Sequence, residues 1–274
     1  MSVETVDPTE PAVSPLAHFG TEVRLERERL GLSREELGKA AHCGYSLVAK
    51  IEAGQRVPSI DFAETCDQVF PHAHGRFERL CTLVLRFAFP PWFRKYVELE
   101  EVATHIRMFQ CQVVPGLVQT EEYARAIMAT GRVQNAEDLV TARMARQRIL
   151  RREKPPRVWI VLDEDVLRRV VGGKHVMKGQ LERLRDVAGT PPHVVQVIPD
   201  DGRPYHGWSG PFGLLSFSEG SDVVRVEGFP REYLVGDQQD VAVASDAFDL
   251  LMATALSPDE SAALINSVLK ERYS

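Results

Sequence analysis

SREELGKAAHCGYSLVAKIEAGQRVP, residues Ser33 to Pro58, decides how the chain begins to fold. Ser33 with Glu36 three residues on is a capping box, in which hydroxyl and carboxylate each satisfy an orphan backbone N–H. It predicts a helix over 34–41, a three-residue turn (His42, Cys43, Gly44) and a second helix over 45–53. Gly54 suits the left-handed position past a helix end, and Pro58 prevents resumption. Leu37, Ala41, Cys43, Val48 and Ile51 are spaced so that two short helices share one small core. Gly38 falls where they approach most closely. Such a unit is a helix-turn-helix, whose second helix can lie in the major groove of duplex DNA. The side chains near the start of that helix, Tyr45, Ser46, Ala49 and Lys50, are the candidates to reach base edges. Arg34 and Arg56 flank the pair as candidates to hold phosphates.

Working outward, 16–81 is helical throughout, broken by Gly31, Gly44, Gly54, Pro58 and Pro71, which predicts a bundle of four or five helices. The stretch 1–14 (two prolines, three acidic residues) is expected to be a disordered tail. The apolar helix over 77–89 ends at Pro90–Pro91 and is expected to connect two parts. The boundaries are therefore 1–14 tail, 15–75 helix-turn-helix domain, 76–91 connecting helix and 92–274 second domain. In the last, strands are expected at 106–114, 158–162, 194–198, 212–217 and 223–227. Helices are expected at 120–129, 137–152, briefly from Glu164 and His175, and at 238–255 and 258–272. Alternating elements of this kind predict a larger mixed α/β (α+β) domain behind an all-α head.

A length of 274 residues exceeds one ordinary domain. The net charge of −6 is unusual for a partner of nucleic acid. Distribution matters more than total: residues 15–60 carry seven Lys/Arg against six Glu, so the acidity lies elsewhere. No apolar run reaches the ~18 residues a bilayer span requires, and the start lacks the apolar core of a secretory signal. Cys43, Cys66, Cys81 and Cys111 lie far apart with no C-x-x-C pair. That argues against zinc and disulfides and fits a reducing cytosol, and the expected location is cytoplasmic and nucleoid-associated.

The stretch resembles the Xre/Cro/C1-type regulators, through Leu30-Gly31-Leu32-Ser33, Glu36-Leu37 and Ile51-Glu52-Ala53-Gly54-Gln55-Arg56-Val57-Pro58. The family has Ala where this chain has Gly38 and Gly where it has His42, and Gly44 is expected to absorb the turn instead. Residues 92–269 resemble the C-terminal domain of unassigned function in actinomycete regulators, the WhiJ-like and antitoxin-like proteins. The matching residues include Val114-Pro115-Gly116-Leu117-Val118-Gln119-Thr120 with Tyr123, Arg143-x-x-Arg146-Gln147, Leu162-Asp163-Glu164 and Val195-Gln196-Val197-Ile198-Pro199. The resemblance implies a DNA-binding transcriptional regulator, with double-stranded DNA as partner and a homodimer as the working form. Control would come from a small partner protein encoded nearby or a small-molecule effector. The alternative is an antitoxin-like protein that mainly binds its neighbour's product.

In the second domain, Thr120 is placed to cap a helix, and Tyr123 reads as packed rather than ligand-binding. Arg143, Arg146 and Gln147 share one helical face, which fits either a solvated, salt-bridged face or a surface for a partner or phosphate. The stretch 202–212, with Tyr205, His206 and Trp208, fits either a connecting loop or a recognition loop. His193, His206, Asp163, Asp200 and Asp201 could furnish acid–base chemistry. Yet there is no nucleophile elbow, P-loop, G-x-G-x-x-G or H-E-x-x-H. No enzyme, cofactor, metal site or membrane partner is therefore expected.

Overall fold

The computed structural model describes residues 14–131, 135–202, 204–229 and 231–273. The expected tail thus lies outside the described residues except for Ser14, which immediately precedes the first helix. The chain divides into two compact units, with the break between Phe89 and Pro90.

The first unit is all-helical: α1 (Pro15–Arg29), α2 (Arg34–Ala40), α3 (Tyr45–Glu52), α4 (Ile60–Val69) and α5 (Arg76–Ala88). α1 buries Phe19, Gly20, Val23 and Arg27, a stripe at helical spacing. Gly20 lets α1 lie on α3, since a Cβ there would stand 2.3 Å from the Ile51 carbonyl oxygen. Ser59 caps α4 by accepting from the Phe62 N–H. The Asp67 carboxylate of α4 accepts from Phe77 and Glu78 N–H at 3.0 and 2.8 Å, satisfying the start of α5. Phe77 then packs edge-on to Phe19 and against Phe70, with ring centroids 5.8 and 5.2 Å away. The helix expected to connect the two parts is therefore a core member of the first unit.

The second unit opens with α6 (Pro91–Val102), a helix that the Pro90–Pro91 pair hid. Proline ends a helix that meets it but suits the first position of the next one, where no N–H is needed. The elements that follow are β1 (His105–Gln110), α7 (Glu121–Thr130), α8 (Ala136–Arg146), β2 (Arg157–Asp163), α9 (Asp165–Arg168) and α10 (Lys174–Ala188). β3 (Val194–Ile198), β4 (Phe212–Ser216), β5 (Val223–Val226), β6 (Tyr233–Val235), α11 (Gln238–Thr254) and α12 (Pro258–Arg272) complete the unit. α8 tightens into a 3-10 turn over Gln147–Arg151 instead of continuing to 152. α10 is 15 residues long rather than short, and β6 is a three-residue strand with too little alternation to be read.

The six strands form one mixed sheet in the order β3-β2-β1-β4-β5-β6. β1, β2 and β3 run parallel, and β4, β5 and β6 each run antiparallel to the neighbour before them. Side chains alternate between its faces. On one, Phe109, Val161, Ile198, Leu214 and Val224 form a core with Phe248 and Leu251 of α11. On the other, Ile106, Ile160 and Val197 are fully buried, and α12 is pinned by the Val197 N–H donating to Ser261 Oγ at 3.0 Å. No single helix is long and apolar enough to cross a membrane, among the described residues.

Candidate nucleic-acid interface

The capping box forms as its sequence predicts. Glu36 N–H donates to Ser33 Oγ at 3.1 Å, and Ser33 N–H donates to a Glu36 carboxylate oxygen at 2.7 Å. Two helices follow, and Leu37, Val48 and Ile51 are buried between and beneath them. Ala41 and Cys43, expected in that core, are only half-buried. Gly38 does sit at the crossing, where a Cβ would stand 2.7 Å from the Cys43 carbonyl oxygen. The turn itself differs from expectation. His42 adopts the left-handed conformation (φ 50°), whereas Gly44 is extended (φ −82°, ψ 155°) and merely precedes α3. The Cys43 N–H donating to the Gly38 carbonyl at 2.8 Å closes the turn around His42.

α3 ends in a Schellman arrangement. Gln55 N–H donates to the Lys50 carbonyl and Gly54 N–H to that of Ile51, with Gly54 at φ 66°. Val48, Ile51 and Glu52 consequently face inward. Tyr45, Ser46 and Lys50 are exposed, Tyr45 at 51%, while Ala49 and Arg56 are half-buried. Among the expected DNA-contact residues, four of α3 thus share its outer side and Arg56 follows its exit.

Behind this face lies an ion cluster that the motif alone did not reveal. The Glu52 carboxylate, buried to 1% exposure, is 2.5 Å from Arg27 Nε and 2.7 Å from Arg34 Nε. Arg27 also donates to the Leu32 carbonyl at 2.8 Å, so one carboxylate ties α1, the α1–α2 loop and α2 to α3. Burial by itself would raise the Glu52 carboxyl. The hydrogen bonds and charges of Arg27 and Arg34 outweigh it and hold the group below the ordinary carboxylate range. Arg34, expected only as a phosphate holder, is first a structural ligand of Glu52. It also donates to the Tyr45 hydroxyl at 3.3 Å, and its guanidinium lies 5.9 Å from that ring's centroid. A signal for the cluster existed: Phe19, Val23 and Arg27 recur at four-residue spacing, which puts an arginine in an apolar stripe.

Of the residues expected at a partner surface in the second unit, Arg146 is buried, while Arg143, Gln147 and Tyr205 are half-buried. Arg146 pairs with Glu100 at 2.7 Å, with side chains 5% and 0% exposed, and stacks over Phe93 and Tyr96. Arg143 donates to Gln119 Oε1 at 2.7 Å, and its guanidinium is pushed down by burial and by the Arg146 and Arg225 charges. Gln147 donates to the carbonyls of Gly116 and Gln119. Their helical face therefore points into the unit, where it braces the loop after β1. The P-G-L-x-Q-T-x-x-Y residues complete this brace. Gln119 Nε2 donates to the Val114 carbonyl, the Val114 N–H donates to the Tyr123 hydroxyl, and Thr120 Oγ1 accepts from the Tyr123 N–H. Tyr205 packs edge-on to Phe109 and donates to Asp163. The Trp208 side chain lies outside the described residues.

Residues 18–70 match the helix-turn-helix domain family, and residues 93–267 match the domain of unknown function DUF5753. No curated protein and no solved structure matches the chain. The first match covers α3 and the three helices around it, α1, α2 and α4, and the second spans the mixed sheet with most of its helices. The chain accordingly belongs to the DUF5753 family, with a DNA-binding helix-turn-helix domain in front of the family's α/β domain.

Proposed function

We propose that the chain is a sequence-specific transcriptional regulator that works as a cytoplasmic homodimer on double-stranded DNA. The observation that carries the reading is the outer side of α3, where Tyr45, Ser46 and Lys50 are exposed together while Val48, Ile51 and Glu52 anchor the opposite side. Two such helices would enter successive major grooves about one helical turn apart on a pseudo-palindromic site. Arg34 and Arg56 flank the helix and would add phosphate contacts, Arg34 keeping its Glu52 bond. The second unit performs no catalytic step in this reading. It joins the protomers and takes up a small partner protein or a small-molecule effector, which must bind the free and DNA-bound forms unequally to have any effect.

Selection of bound sequences from a random duplex library tests this directly. The full chain should enrich a two-half-site sequence, and Lys50→Ala should weaken binding to it by about 1–3 kcal/mol. An equal loss on unrelated duplexes would assign Lys50 to phosphate instead of bases. Enrichment of no sequence would refute the regulator. Co-purification of a neighbouring gene's product without any duplex preference would favour the antitoxin alternative.

A further inference from the structure

α11 covers only part of its sheet face. Phe248 and Leu251 lie over Phe109, Val161 and Leu214, toward the carboxyl ends of the parallel strands. At their amino ends the same face is open. There the register sets His105 beside Arg157 and Ser216, and, two residues along, Arg107 beside Trp159. With Met252 of α11 as a wall, these six residues line a cleft of about 300 Å³. That is the lower end of small-ligand sites, which combine apolar lining with a few placed polar groups.

The lining is held in place. Trp159 Nε1 donates to Gln196 Oε1 at 2.8 Å, and Gln196 Nε2 donates to the Leu256 carbonyl at 2.8 Å, which fixes the indole plane. Arg107 lies 5.5 Å from the Phe248 ring centroid and donates to Ser245 Oγ at 3.2 Å. Two carboxylates border the cleft: Asp249, 3.8 Å from Arg107 and 60% exposed, and Asp222, which accepts from Ser216 Oγ at 2.6 Å. Asp249 is on α11 and Asp222 follows β4, which flanks β1 on the side opposite Arg157 of β2. Arg157 has no carboxylate within ion-pair distance among the described residues, and its guanidinium stands 5.8 Å from the Trp159 ring centroid. A cationic corner beside a fixed aromatic plane matches a planar ring bearing a carboxylate, phosphate or sulfonate.

We infer that this cleft binds a small aromatic anion, its ring against Trp159 and Met252 and its charge at Arg157 and His105. As the seat of an effector the cleft rests on the control proposed above; as a binding site it stands alone. Its test therefore reads binding without DNA. The probe is 8-anilinonaphthalene-1-sulfonate, titrated into full-length protein labelled with 5-fluorotryptophan, the Trp159 resonance being identified by its loss in Trp159→Phe. Saturable movement of that resonance is expected, with affinity at least fivefold weaker in Arg157→Gln and in His105→Gln. Both residues are exposed, so neither change threatens the fold. The uncharged N-phenyl-1-naphthylamine should bind at least fivefold more weakly than the sulfonate. Equal binding of the neutral probe, unchanged affinity in both variants, or movement confined to the other tryptophans would overturn the inference. Duplex affinity is measured in parallel. Its absence alongside intact probe binding would refute the regulator and leave the cleft, and the converse would refute only the cleft.

Discussion

Each unit buries a carboxylate against arginine, Glu52 in the first and Glu100 in the second, and the two clusters serve different ends. Glu52 joins Arg27 in the interior to Arg34, a third of whose side chain is exposed beside Tyr45. The buried charge thereby ties α3, whose outer side is exposed, to α1 and α2. Glu100 accepts from the Tyr96 hydroxyl at 2.8 Å and pairs with Arg146, and Arg225 stacks on the same tyrosine at 4.3 Å. That cluster is enclosed, and together with Arg143 and Gln147 it stiffens a loop. Arginines that look alike in a charge count thus brace a helix with an exposed outer side in one unit and a loop in the other.

The largest effects should come from breaking each cluster at its carboxylate. Glu52→Ala and Glu100→Ala each strand a buried arginine, and each should cost about 3–5 kcal/mol, read by urea unfolding of the full chain. Only Glu52→Ala should also abolish specific duplex binding at temperatures where both variants remain folded. Equal loss of duplex affinity in Glu100→Ala would erase the distinction between the units. Acid sharpens it. The Glu52 carboxyl is lowered in the folded chain, so its stabilisation is complete above the ordinary carboxylate value and fades as pH falls through the depressed one. Glu232 runs oppositely: burial raises it despite Arg225, so its contribution is present at low pH and fades as pH rises through the raised value. Glu52→Gln should therefore flatten the acid limb of the stability profile, measured by melting temperature against pH, whereas Glu232→Gln should not.

Glycines provide an intermediate contrast. Gly20→Ala forces a methyl group against the Ile51 and Glu52 carbonyls and should cost about 1–3 kcal/mol. Gly179→Ala, in α10 with open space at its Cβ position, should instead stabilise by about 0.4–1 kcal/mol. Thermal unfolding of the two variants reads both signs. The smallest effect belongs to Tyr45→Phe. It removes one long, exposed hydrogen bond to Arg34 and should change stability by less than about 0.5 kcal/mol. A larger loss would show that Arg34 depends on Tyr45 as well as on Glu52.

Elements with local signals were legible in the residues. The box at Ser33, the Gly54 exit and the apolar run of β2 depend on neighbours a few positions apart, and α12 and β3 begin and end where their patterns place them. α6 was hidden because one proline pair both ends α5 and starts the next helix. The left-handed turn residue was misplaced because glycine permits positive φ without requiring it, and His42 takes that position here.

The one-dimensional chain determined the helix-turn-helix, the outward set on α3 and the order of helices and strands apart from α6 and β6, since capping and periodicity act within a few residues. Tertiary structure decided the partners of each arginine. Arg27, Arg34, Arg143 and Arg146 meet carboxylates, amides or rings from 11 to 53 positions away, and a buried charge is stable only where such partners converge. That convergence depends on which helix faces cross and how closely, as at Gly20, where absence of a side chain brings α1 onto the carbonyls of α3.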